Sequence, residues 1–200
     1  MTLSTMKPFA ESCDQNKHPI LEVLRTEFAH ATTVLEIGSG TGQHAVFFAA
    51  ELPQLIWQTS EVVEHHAGIQ AWINDSGLTN VLPPIELDVL RSPWPDTQYD
   101  AIFSANTAHI MAWPEVVAMF ESIGKHMNSG ATFCLYGPFN KHGQYTSDSN
   151  ARFDQWLKAR DPNSGVRDME MLTALAAQQG LELTAEHDMP ANNKILVWHK

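Results

Sequence analysis

Apolar residues along the chain recur at two spacings, one helical and one strand-like. Ile20, Leu21, Val23, Leu24 and Phe28 fall at helical intervals behind Pro19. Proline suits a first helical turn, where its missing N–H costs nothing. This predicts a helix from Pro19, preceded by a polar, loop-like lead over residues 1–17. A short apolar run at 33–37 predicts the first strand, and further short runs at 55–60, 84–89, 99–106 and 132–136 predict four more. Between them, 44–51, 65–76 and 114–127 have helical character, and Gly77 stops the second of these as a glycine beyond a helix end often does. Residues 141–149 are polar and predict an exposed excursion, with helical character resuming at 150–158. Asp168 can cap a helix running to Gly180. Two last strands, at 181–188 and 194–199, are joined by Met189-Pro190-Ala191-Asn192-Asn193, turn chemistry that predicts an antiparallel pair. Alternating β and α with a closing hairpin is the pattern of an α/β fold, helices covering both faces of a mostly parallel sheet.

One stretch stands out from this pattern: Val34-Leu35-Glu36-Ile37-Gly38-Ser39-Gly40-Thr41-Gly42-Gln43-His44. It reads as strand, tight turn, helix. Glycines at alternate positions let a ligand lie against bare backbone, and the helix start offers unpaired N–H groups. The dinucleotide fingerprint G-x-G-x-x-G needs a third glycine where Gln43 stands, and a P-loop needs a Lys that is missing here. A NAD-dependent oxidoreductase is disfavoured on that ground. Glu36 beside the loop suits a positively charged ligand better than a pyrophosphate. S-adenosylmethionine (SAM), with its ammonium, sulfonium and adenosine, has that chemistry. Glu36, Gly38, Ser39, Gly40, Thr41 and Gly42 are the first candidate contacts.

In a doubly wound sheet, ligands bind beyond the carboxyl ends of the strands. Glu61 ends the second strand, about 20 residues past the first glycine, where an acid takes ribose hydroxyls; the alternative is an acid complementing a helix N-terminus. Asp88 and Val89 end the third strand and are candidates for adenine, the one by its carboxylate and the other by its N–H; the alternative for Asp88 is a turn leading into Arg91-Ser92-Pro93. Asn106 ends the fourth strand and faces the same crevice. His109, just beyond, is the candidate general base, or else a structural histidine. Tyr136 ends the fifth strand, to bond substrate or to pack. Asn16 and Lys17 are candidate contacts of a lid. Phe139, Asn140, Arg167, Asn192 and Asn193 are candidate substrate-side residues.

Composition narrows the partners. The chain has 200 residues, a net charge of −11 and two cysteines. That is one domain's worth of chain, with residues 1–18 as a flap or tail. No run of Lys or Arg supports nucleic-acid binding. No apolar stretch is long enough for a membrane span, and the start lacks the apolar core of a signal peptide. Cys13 and Cys134 suggest no disulfide framework, which fits a cytoplasmic protein. No metal-ligand spacing is evident, since His65 and His66 are adjacent. Nothing in the sequence points to a particular oligomeric state.

The ordered set Glu36-Ile37-Gly38-Ser39-Gly40-Thr41-Gly42, Glu61, Asp88 and Tyr99-Asp100 resembles the class I SAM-dependent methyltransferases. The resemblance implies a Rossmann-like, mostly parallel seven-stranded sheet with an antiparallel last strand. Gln15-Asn16-Lys17-His18-Pro19, Phe103-Ser104-Ala105-Asn106, Leu135-Tyr136-Gly137-Pro138-Phe139, Arg167-Asp168 and Met189-Pro190-Ala191-Asn192-Asn193 are similar to the methyltransferase-like 26 family, domain of unknown function 938. These resemblances imply SAM as cofactor and methyl transfer, but no particular substrate. A small-molecule substrate is expected because the short chain carries no appended recognition domain and its charge disfavours RNA. The contrasting expectation is a SAM-binding interaction module without turnover.

Overall fold

The structure, a computed structural model, describes residues 7–200. Residues 1–6 of the expected flap or tail lie outside it. Helix α1 (Glu11–Glu27) begins at Glu11, not at Pro19, so residues 11–17 are helical where a loop was expected. Pro19 lies inside the helix, where it cannot donate to the Gln15 carbonyl one turn back. Tertiary contacts outweigh that loss. Asn16, Ile20, Leu21 and Leu24 are buried, and the Gln43 side-chain oxygen accepts from the Ala10 N–H at 2.6 Å, anchoring the helix start.

The chain continues through β1 (Thr33–Ile37), α2 (Gln43–Glu51), β2 (Ile56–Glu61), α3 (Val63–Ser76), β3 (Val81–Glu86), β4 (Tyr99–Ala105), α4 (Trp113–His126) and β5 (Met127–Gly137). Then come β6 (Phe139–Lys141), β7 (Gln144–Tyr145), α5 (Asp148–Arg160), β8 (Arg167–Asp168), α6 (Met169–Gln178), β9 (Glu182–Met189) and β10 (Asn193–His199). Seven strands form one sheet in the order β3-β2-β1-β4-β5-β10-β9. All neighbours are parallel except β10, which runs antiparallel to both β5 and β9. Side chains of β1 alternate between two cores. Val34 joins Phe48, Trp57 and Phe103 beneath α1 to α3, while Leu35 and Ile37 join Phe120, Phe133 and Leu172 beneath α4 and α6. Burial on both faces is why these strands read as continuous apolar runs.

Three expectations need adjustment. β3 lies earlier than the run 84–89, because an edge strand tolerates Pro83 and Pro84 without their N–H groups. The excursion over 141–149 is not all loop: β6, β7 and β8 make a small second sheet, and α5 starts at Asp148 with the Ser147 hydroxyl capping the Asn150 N–H at 3.1 Å. β5 starts at Met127, directly after α4. The Asp168 cap is present, its carboxylate accepting from the Glu170 N–H at 3.1 Å. Cys13 and Cys134 are free thiols. Among the described residues, no helix is long and apolar enough to cross a membrane.

Asp100 stitches β1, β4 and β5 at the end of the sheet opposite the glycine turn. Its carboxylate accepts from the Thr32 hydroxyl at 2.5 Å, from the Thr32 and Thr33 N–H groups, and from the Asn128 amide at 2.8 Å. The Thr32 hydroxyl, with these other donors, holds its pKa down at about 2. A depressed carboxylate stabilises the fold above its unfolded pKa and stops doing so as pH falls through the folded value. The stability gap between wild type and Asp100→Asn should therefore narrow as pH drops from about 4 to about 2. Urea titrations across that window check it, and a constant gap would refute it.

Candidate functional site

The sheet order reverses at β1, whose neighbours β2 and β4 lead the chain in opposite directions, so a crevice opens beyond the carboxyl ends of β1 and β4. The glycine turn fills its floor. Gly38, Gly40 and Gly42 have φ of +72°, +56° and +88°. A Cβ on Gly38 would sit 2.6 Å from the Thr107 methyl, and one on Gly42 would sit 3.0 Å from the Ile69 Cα. A Cβ on Gly40 would meet nothing within 4 Å. The outer glycines thus permit close packing, and the middle one presents bare backbone to open space. Ser104 holds Thr107 in place, its hydroxyl bonding the Ile37 carbonyl at 2.7 Å and the Thr107 hydroxyl at 2.6 Å.

Ser39 and Thr41 fix the turn. The Ser39 N–H donates to the Ser60 carbonyl at 2.9 Å, and its hydroxyl accepts from the Ser60 N–H at 3.1 Å. The Thr41 hydroxyl donates to the Gln43 amide oxygen at 3.0 Å, the same oxygen that anchors Ala10. Gln43, the residue that breaks the dinucleotide fingerprint, thereby ties α1 to the turn.

Two acids flank the turn. Glu36 is buried and accepts from the Trp57 indole N–H at 3.2 Å. Burial pushes its pKa up to about 7, against the hydrogen bonds from Ser39 and Trp57, and the nearby Glu61 adds to the rise. Glu61 accepts from the Gly40 N–H and the Val62 N–H, each at 2.9 Å and each on a different oxygen. Every carboxylate oxygen has two acceptor sites, so both keep one for a ligand. Asp88 lies beyond the end of β3 and accepts from the Leu90 and Arg91 N–H groups at 3.0 and 3.2 Å. It borders a cleft of about 500 Å³ shared with Val62, Val63, Glu64 and Glu86, and Val89 follows in the same turn. Glu86 on this wall was missed by sequence reasoning, which set the strand end at Asp88.

A second cleft, of about 370 Å³, lies beyond β4 and β5 and is lined by Asn16, Asn106, Tyr136, Asn150, Phe153 and Asn193, among others. Asn106 has φ of +59° and donates its N–H to the Tyr136 carbonyl at 2.9 Å. The Tyr136 hydroxyl accepts from the Asn193 amide at 3.0 Å. The Asn16 amide oxygen meets His44 Nε2 at 2.7 Å. Burial lowers the His44 pKa to about 4, so this imidazole is neutral. His109 is also buried, with its ring edge-on to Phe153 at 5.2 Å. Burial, and then Arg167, lowers its pKa to about 4, which makes it a weak proton acceptor.

The other expected substrate-side residues lie elsewhere. Arg167 donates to the carbonyls of Ala108, Met111 and Asn163, pinning the segment that carries His109. Phe139 is buried in the apolar layer under α4 and α6. Asn140 donates to the Val166 carbonyl. Lys17 pairs with Asp14 and lies over the Phe47 ring. Asn192 donates to the Ser149 hydroxyl and accepts from Asn150 through its carbonyl. His44, Asn150 and Phe153 escaped sequence reasoning because a helix's first turns read as solvent-facing until other elements cover them. Among the described residues, no group of three His, Cys, Asp or Glu side chains is placed to hold a metal ion.

This strand order, with its antiparallel last strand, is the class I SAM-dependent methyltransferase fold. Solved structures sharing it include an O-methyltransferase family protein from Burkholderia thailandensis, with TM-score 0.80 and 15% identity over 92% of this chain and 56% of that one. The O-methyltransferase NcsB1 from neocarzinostatin biosynthesis, in complex with SAM and 2-hydroxy-5-methyl naphthoic acid, gives 0.78 and 15% over 94% and 54%. An O-methyltransferase family 2 protein from Planctomyces limnophilus, in complex with apigenin, gives 0.75 and 12% over 92% and 61%. The chain therefore spans little more than half the length of these proteins. It belongs to the family described as protein of unknown function (DUF938), whose model matches residues 7–200.

The packing of the glycine turn sets an order of tolerance. Gly40→Ala should cost about 1 kcal/mol, the strain of a positive φ alone. Gly38→Ala adds the clash with Thr107 and should cost about 2–4 kcal/mol. Denaturant titration of the two variants without ligand checks the difference, and equal losses would contradict it.

Proposed function

We propose that the protein is a SAM-dependent methyltransferase acting on a small molecule. The observation that carries this reading is the bare Gly40 backbone, open on its Cβ side and bonded through its N–H to Glu61. The donor set fits SAM. Glu36 suits the ammonium, Glu61 keeps acceptor sites for the ribose hydroxyls, and Asp88 with Val89 borders a cleft for adenine. The shared fold with SAM-bound NcsB1 supports the same choice. Bound there, the cofactor would supply a methyl group already activated by its positive sulfur.

The protein's own task is then alignment and exclusion of water. Gly38 packs on Thr107, next to Asn106, so the turn and the second cleft adjoin. Asn106 and Tyr136 would orient the acceptor, and such positioning supplies up to ~7–11 kcal/mol. Residues 7–17 serve as the cover. Pro8 accepts from the Trp72 indole at 2.7 Å and lies so close to Gly68 that any Cβ there would clash at 2.6 Å. Lys7 stacks on Trp72 and pairs with Asp75. These contacts clamp the segment across α3 and the glycine turn, and a closed cover keeps water from the nucleophile.

Calorimetric titration with S-adenosylhomocysteine should show saturable binding. In Gly40→Val/Glu61→Ala it should weaken by a factor of about 100 or more, since charged hydrogen bonds contribute ~1.5–3 kcal/mol each and the valine blocks the open backbone. Unchanged binding in that variant would remove the site assignment. Release of S-adenosylhomocysteine from SAM with an acceptor separates an enzyme from a binding module.

Glu36 adds a pH signature. A raised carboxyl pKa means the anion forms only as pH rises through about 7. Affinity for the ammonium-bearing ligand should fall as pH drops below that point, and Glu36→Gln should bind more weakly with a flat profile. A wild-type profile that stays flat between pH 6 and 8 would count against the Glu36–ammonium contact.

A further inference from the structure

The second cleft has a hydrogen-bonding character set by what its side chains have already committed. Asn150 is 4% exposed, and both its amide N–H groups are in use, donating to the Thr146 hydroxyl and the Asn192 carbonyl, each at 3.0 Å. Asn193 is committed likewise, to the Tyr136 hydroxyl at 3.0 Å and the Pro190 carbonyl at 3.2 Å. In both cases a backbone carbonyl partner dictates which end of the amide is nitrogen. What Asn150 and Asn193 have left for a ligand is a carbonyl oxygen. Tyr136 is the converse. Its oxygen already accepts from Asn193, so its O–H remains to donate. Phe153, Pro138 and Pro190 supply apolar wall, and among the described residues no charged side chain lines the cleft.

We propose that this cleft binds an uncharged, nitrogen-bearing ring whose N–H groups donate to the side-chain carbonyls of Asn150 and Asn193, and that a nitrogen of that ring is the methyl acceptor. The second half rests on the methyltransferase reading; the first does not. A carboxylate or phosphate would find no cation among the described lining residues and would face the negative ends of two amide dipoles, so its desolvation would be offset only in part. An N–H compound satisfies both carbonyls, and a ring acceptor atom can take the Tyr136 O–H.

The acceptor atom follows from where the two nearby imidazoles lie. Neither is on the wall of the cleft: His44 Nε2 is bonded to the Asn16 amide oxygen at 2.7 Å, and His109 stands edge-on behind Phe153, so neither is open to take a proton from a phenol. Burial also lowers the basicity of both. A ring nitrogen needs no prior deprotonation. Its lone pair forms the N–CH₃ bond as the S–CH₃ bond breaks with its electron pair passing to sulfur. The positive charge moves to nitrogen, and the N–H proton then leaves to water.

The test uses full-length protein saturated with S-adenosylhomocysteine and three probes of similar size: 2-aminobenzimidazole, in a mildly alkaline buffer that keeps it uncharged, 2-naphthol and 2-naphthoate. The aminobenzimidazole should bind at least about tenfold more tightly than the naphthol, and the naphthoate most weakly of all. Asn150→Ala and Asn193→Ala should each reduce that preference about tenfold while S-adenosylhomocysteine affinity stays unchanged, which also shows that the variants fold. Equal binding of the three probes, or tightest binding of the naphthoate, would overturn the subsite while leaving the cofactor site standing. Loss of S-adenosylhomocysteine binding in the wild type would instead overturn the cofactor reading. With SAM, mass spectrometry should find N-methylated product, and methylated naphthol alone would overturn the nitrogen assignment.

Discussion

The mouth of the sheet depends on how closely the backbone after β1 passes the residues after β4. Ser104 bonds both the last carbonyl of β1 and the Thr107 hydroxyl, which sets Thr107 against Gly38. No side chain fits between them. That single steric limit fixes the path of the turn, and with it the position of the Gly40 N–H that Glu61 accepts. It also brings Asn106, on the wall of the second cleft, close to the turn. A side chain at Gly38 would therefore disturb both sides of the site at once.

α1 closes the same edge from outside. Its buried Asn16 bonds His44 on α2, and across the same cleft Asn193 on β10 bonds Tyr136 on β5. Two pairs of elements distant in sequence are tied by hydrogen bonds that carry no net charge. Buried polar groups are tolerated when every member is satisfied, and here the neutral state of His44 makes that possible, since an unpaired imidazolium at this depth would be costly. The helix accepts an internal proline in return for this contact and for the apolar packing of Ile20, Leu21 and Leu24.

What the sequence disclosed is what local chemistry dictates. Strands buried on both faces read as apolar runs, and the glycine turn with Glu36 and Glu61 announced itself by spacing. The start of α1 did not, because Pro19 signals a first turn and only the contact of Ala10 with Gln43 shows that the helix begins earlier. Asn150 and His44 stayed hidden for a related reason. Each lies near a helix start where polar residues usually meet water, and each is buried by elements far along the chain. Arg167 and Phe139 were read toward a substrate because a polar, proline-broken stretch resembles a loop; in the structure one pins carbonyls and the other packs in a core.

The two sides of the crevice divide the electrostatic work. Acids gather on the side of β1 to β3, where a ligand carrying positive charge would be held, and the side of β4, β5 and β10 offers amides, one phenol and an aromatic wall. On the proposed reading this division serves transfer itself. The sulfonium loses its charge as the methyl leaves, so a carboxylate directly opposite the methyl would favour the charged reactant over the transition state. Keeping Glu36 and Glu61 beside the glycine turn would let them anchor a cofactor without that penalty, and the second cleft would leave a nucleophile weakly solvated. A protein with a net charge of −11 would repel anionic acceptors in any case. The cleft turns that general bias into a specific one at Asn150 and Asn193, whose amide hydrogens are committed and whose side-chain oxygens are left for a ligand.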